Sequence, residues 1–154
     1  MDKENKKVVP VTFDTYIAVI KNSIGSKIFR NFYADVDGEK MDIAKDGGLS
    51  CAFFVSSVLA LFGYIRSGHM TVDGTVSDLE ASGWGKTREP NVGDVLVWEA
   101  QKNSRGELHK HIGFYIGNER AVSNSDKEKS PIEHHWTFDG SRAVESIYLL
   151  KESK

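Results

Sequence analysis

Residues 49–65 read LSCAFFVSSVLALFGYI, and this stretch decides the fold. It is apolar on nearly every side, which in a water-soluble domain means a helix buried among other elements. Ser56 and Ser57 interrupt it, and it falls short of the ~20 apolar residues that span a bilayer. It is therefore expected as a central core helix, with no membrane insertion. The preceding Asp46-Gly47-Gly48 supplies loop chemistry and Ser50 can cap the helix start, so Cys51 falls in the first turn.

Working outward toward the N-terminus, Phe13, Tyr16, Ile17, Val19, Ile20 and Ile24 recur at helical spacing, and Gly25 can end that helix. Between them, Ile28 to Ile43 has the look of an irregular or hairpin-like connection turning at Asp37-Gly38. Its Asp35-Val-Asp37-Gly38 lacks the alternating oxygen ligands and the distant Glu of a calcium loop. Toward the C-terminus a short helix is expected over Val76 to Ala81, then a loop through Trp84, Gly85 and Pro90. Beyond Asn91 the pattern turns to short strands: Asp94–Glu99, His111–Ile116, Arg120–Ser123, Ile132–Phe138 and Val144–Leu150. Helices first and an antiparallel meander afterwards make an α+β fold.

The chain has 154 residues, 40% of them hydrophobic, enough for one domain with its own core. We assign residues 1–10 to a flexible N-terminus and 11–151 to a single domain. Lys and Arg total 20 against 22 Asp and Glu, a net charge of −2, so no basic field attracts nucleic acid or an anionic membrane. One cysteine excludes an internal disulfide and a Cys-rich zinc site. The start MDKENKKVVPVTF has charges but no apolar run of about 7–15 residues behind them, so the expected location is cytoplasmic as encoded, with non-classical export left open.

A thiol at a helix N-terminus feels the partial positive charge of unpaired backbone N–H groups, which favours the thiolate nucleophile. Packing is the competing reading, since cysteine is among the most buried residue types. The partner of a thiol nucleophile is a general base, and His111 opens the strand HIGFYIG. His111, Gly113, Tyr115 and Gly117 share one face of it, where Gly113 leaves room beside the imidazole.

Three features in this order, a helix-borne Cys51, the Gly93-Asp94 turn into Val-Leu-Val-Trp98, and His111-Ile-Gly-Phe-Tyr-Ile-Gly-Asn118, resemble the NlpC-type and CHAP-type papain-like cysteine peptidases and amidases. The resemblance covers about Leu49 to Ser125, half the chain. It implies a papain-like fold with the Cys-bearing helix packed on an antiparallel sheet, Cys51 as nucleophile, His111 as base, and a polar residue on the next strand orienting the imidazole. That family usually has Asp before the cysteine and Ser-Gly after it, where this chain has Ser50 and Ala52-Phe53. The cysteine precedes the histidine, unlike the permuted lipid-acyltransferase relatives.

Hairpin arithmetic leaves two candidates for the third group. A two-residue turn at Asn118-Glu119 pairs Gly117 with Arg120 and Gly113 with Asn124, putting Asn124 on the face of His111; a three-residue loop puts Ser123 there instead. A gapless alignment with the family favours Ser123. The chemistry favours Asn124, whose amide oxygen can accept the imidazole N–H and fix its tautomer, and Asn124 is our choice.

A rival reading gathers His109, His111, His134 and His135 around a metal ion. His109 and His111 share a strand face, but His134 and His135 point oppositely and no carboxylate has the right spacing, so no metal or other cofactor is expected. His134-His135-Trp136 is read as a packing strand, with an active-site wall as the alternative. The expected activity is a thiol hydrolase acting on a peptide amide, with a peptidoglycan fragment the substrate the resemblance implies. The alternative is an inactive papain-like peptide-binding module.

Overall fold

The computed structural model describes residues 4–150. Residues 1–3 of the assigned N-terminal segment and Lys151, the last residue of the assigned domain, lie outside the described residues. Residues 4–11 form neither helix nor strand, and Val8 and Val9 are exposed. The elements that follow are α1 (Thr12–Asn22), β1 (Tyr33–Val36), β2 (Glu39–Asp42), α2 (Cys51–Leu61), α3 (Val72–Ala81), β3 (Gly85–Thr87), β4 (Val95–Lys102), β5 (Leu108–Gly117), β6 (Arg120–Ser125), β7 (Ser130–His135) and β8 (Val144–Leu149). The fold is α+β with antiparallel sheets. Among the described residues no helix is long and apolar enough to cross a membrane.

α2 is the buried helix expected from its composition. Ala52, Phe54, Val55, Val58 and Leu59 are all enclosed, and Phe54 meets Phe114 of β5 edge-on at 5.4 Å, tying the helix to the sheet. Truncating a fully buried Phe of this kind costs about 3–5 kcal/mol. Ser56 is tolerated inside this core because the backbone of His69 satisfies it: its Oγ accepts the His69 N–H at 2.7 Å and donates to the His69 carbonyl at 3.0 Å. Ser50 stands at the N-cap position, but its hydroxyl makes no capping bond, contrary to its sequence reading. α3 begins at Val72, four residues before the expected start, because the Thr71 side chain caps the Gly74 N–H; Gly74 hides that start by its low helix propensity.

β1 and β2 form the expected hairpin around Asp37-Gly38. The six-stranded sheet runs β3-β8-β4-β5-β6-β7. β4 to β7 are a meander, but β8 returns to the far side of β4, so the meander expectation fails for the last strand. β3, three residues long and paired with β8, is too short to show alternation in the sequence. Val95 to Trp98 are buried on both faces of β4 because two apolar clusters sandwich it. Val95 and Val97 join Ile112, Phe114 and the three helices on one face; Leu96 and Trp98 join Ala121 and Ile147 on the other, closed over by Trp136 and Phe138. Trp84 and Trp98 are core residues whose indole N–H groups donate to the carbonyls of Tyr64 and Trp136.

Candidate active site

Cys51 opens α2 on the wall of a cleft of about 900 Å³, and His111, Ser123, Phe138 and Arg142 line the same cleft. The chain enters α2 through Gly47, which has φ +89° and lies so close to Lys129 that an added Cβ would sit 2.7 Å from its carbonyl oxygen. Only glycine fits there. The Asn124 amide, buried on β6, donates to the Gly47 carbonyl at 2.8 Å and fastens this loop to the sheet.

The β5–β6 hairpin decides what faces the imidazole. Gly117 pairs with Arg120 across Asn118-Glu119, both at positive φ, which is the two-residue turn expected from the sequence. The next pair is Tyr115 with Ala121, so β5 carries one extra residue, Ile116, as a β-bulge. That shift pairs Gly113 with Ser123 instead of Asn124 and exchanges the two faces of β6. The orienting contact assigned to Asn124 is therefore made by Ser123, whose Oγ lies 2.9 Å from His111 Nε2. Gly113 makes this approach possible: a Cβ there would lie 2.7 Å from that of Ser123 and 3.0 Å from the Trp98 ring.

Ser123 Oγ also lies 2.7 Å from His134 Nε2, and His134 Nδ1 lies 2.7 Å from the His135 carbonyl oxygen. His134 stands opposite Ala121 on β7, one diagonal step from Ser123 on the same face. Trp98 and Phe138 wedge both imidazoles: the His134 ring stacks on Phe138 at 4.0 Å, and His111 packs against Trp98 at 5.3 Å. His134-His135-Trp136 thus packs, as Trp136 does, but it also adds a polar group beside the site. His109 is exposed beside Glu107, and His135 bonds Thr137. Among the described residues no three His, Cys, Asp or Glu side chains are grouped so as to hold a metal ion.

Burial pushes the Cys51 thiol above its ordinary pKa, outweighing the backbone N–H groups of Ile112, Ala52 and Cys51 itself and the positive charge of Arg142. A thiolate stabilised by the helix start was the expectation; desolvation reverses it. His111 is pushed down to about 3, first by burial, then by the charge of Arg142, and by repulsion from His134 wherever that ring is also protonated. The resting site therefore holds a neutral thiol and a neutral imidazole. Arg142 is held by the Glu99 and His109 carbonyls through Nε and Nη2 at 2.9 and 2.8 Å, and among the described residues no carboxylate lies within ion-pair distance of it.

Of the residues chosen from the sequence, Cys51, His111 and Asn124 all line the cleft, but the Asn124 amide serves the loop before α2 and not the imidazole. Arg142 was missed because it sits in the turn before β8 and carries no periodic or motif signal; it comes to the cleft only through the return of β8 to β4. His134, which the sequence reads as a packing residue, stands behind Ser123. No protein-family model matches this chain, and no curated protein is significantly similar to it.

Proposed function

We propose that this protein is a thiol hydrolase of papain-like architecture that cleaves an amide bond in a peptide, with Cys51 as nucleophile and His111 as base. The observation that carries the reading is His111 on the Cys51 cleft with its Nε2 engaged by Ser123, which leaves Nδ1 as the nitrogen available for proton transfer. Because both partners rest neutral, the proton passes from the thiol to Nδ1 as the sulfur attacks the carbonyl carbon. Charge developing on the carbonyl oxygen is stabilised by the backbone N–H groups at the start of α2 and by the positive charge of Arg142, which lines the same cleft. His111 then gives its proton to the leaving amine, and a thioester remains on Cys51. Water attacks the thioester while His111 takes the water proton, releasing the acid and restoring the thiol. The cleft can take a short extended peptide, and the resemblance favours a peptidoglycan stem peptide.

The test is incubation of purified protein with peptidoglycan fragments and a set of short peptides, with newly freed amines measured. Release by the native chain and none by Cys51→Ala supports the reading. A second reading, a peptide-binding module without turnover, is favoured by the raised thiol and the weakly basic imidazole. Saturable binding of a fragment that is never cleaved would establish it in place of the first.

A further inference from the structure

A carbonyl oxygen can only accept a hydrogen bond, so the contact between His134 Nδ1 and the His135 carbonyl puts a proton on His134 Nδ1. Burial pushes the His134 pKa down, so the ring is neutral near pH 7 and its Nε2 holds a bare lone pair. That lone pair takes the single hydroxyl proton of Ser123. With its proton committed, the Ser123 oxygen can only accept from His111, so the proton of the neutral His111 ring lies on Nε2.

We propose that His134 is a positioning residue for His111: through Ser123 it holds the His111 proton on Nε2 and so keeps Nδ1 free. The direction of the relay comes from one fixed point, the His135 backbone carbonyl, which no side-chain rotation can reverse. Clamping supports it. Phe138 stacks on His134 at an interplanar angle of 14°, and the ring centroid of the buried Trp98 lies within 5.6 Å of both imidazoles, so neither ring turns over without displacing Trp98 or Phe138. Without His134, the Ser123 hydroxyl regains its proton and can donate it to His111 Nε2, which would move the His111 proton to Nδ1 and remove the base.

The tautomer assignment stands without the hydrolase reading; only the name of base rests on it, so the two are tested separately. In substrate-free protein labelled with ¹⁵N at histidine, long-range imidazole correlations at pH 7 report which nitrogen of His111 is protonated. The native chain should show His111 protonated on Nε2. In His134→Phe the Nδ1-protonated form should appear, kcat on any cleaved peptide should fall about tenfold or more with KM little changed, and His134→Gln, which keeps an acceptor, should restore part of both. Should His134→Phe not fold, Ser123→Ala cuts the relay at its middle and should give a mixed His111 tautomer. A native His111 protonated on Nδ1, or an unchanged tautomer in a folded His134→Phe or Ser123→Ala protein, overturns the proposal. If no peptide is cleaved by any variant, the spectra still decide it.

Discussion

His69 and His111 each present Nε2 to a hydrogen-bond partner, and the two partners differ in charge. His69, between α2 and α3, lies 2.7 Å from the Asp78 carboxylate, which also accepts the N–H groups of Arg66 and Ser67 and the Ser82 hydroxyl. Burial alone would push the Asp78 carboxyl up, but those donors together hold it down at about 2. This centre is a clasp that joins the loop after α2 to α3. His111 meets a hydroxyl and, behind it, another neutral ring, with no carboxylate to hold a positive charge on it. His69, paired with a carboxylate here, fastens structure. Under the proposed hydrolase reading, His111 in its neutral relay takes a proton only when the reaction delivers it.

The largest expected effect separates the two centres by what they lose. Cys51→Ala and His111→Gln should each reduce amide hydrolysis at least about 10³-fold while leaving the chain folded. Asp78→Ala should do the reverse, lowering unfolding free energy by about 2–4 kcal/mol through the orphaned N–H groups while turnover per folded molecule is retained. Kinetics and denaturant unfolding on the same samples give both numbers.

Acid titration sharpens the contrast. Asp78 ionises lower in the folded chain than its ordinary 3.8, so its stabilisation is fully present above about pH 4 and is lost as pH falls through about 2. His111 is also depressed, from 6.5 to about 3, so the unfolded chain binds a proton there first and stability declines from about pH 6.5 toward 3. Unfolding free energy followed against pH should lose the upper part of this slope in His111→Gln and the lowest part in Asp78→Asn.

The smallest expected effects lie in two adjacent residues of β6. Asn124→Ala should cost about 1–2 kcal/mol by freeing the Gly47 carbonyl and should leave the His111 tautomer unchanged. Ser123→Ala should cost little stability and lower kcat about tenfold. An exchange of these outcomes would mean that the bulge at Ile116 is absent in solution.

That bulge also marks how far the sequence was legible. The buried helix, the α+β class and the hairpin turns follow from patterns within a few residues of each site: uniform apolarity, alternation, and turn residues. The pairing of Cys51 with His111 is implied by the family resemblance, not by any local pattern. The turn at Asn118-Glu119 was legible too, and it still gave the wrong neighbour for His111. A one-residue bulge leaves no trace in composition, yet it reverses every face beyond it. Arg142 depends on β8 pairing with β4, a choice of sheet order between strands far apart in sequence. The thiol's raised pKa depends on how deeply the helix start is covered, which helix position alone does not reveal.

The central claim is that Cys51 carries the acyl group of a cleaved peptide. Rapid acid quenching during turnover, followed by intact-mass measurement and fragmentation, tests it on the molecule itself. We predict an added acyl mass on Cys51 that appears and decays with substrate and is absent from Cys51→Ala. Turnover that persists in Cys51→Ala, with no adduct on the native chain, would contradict it.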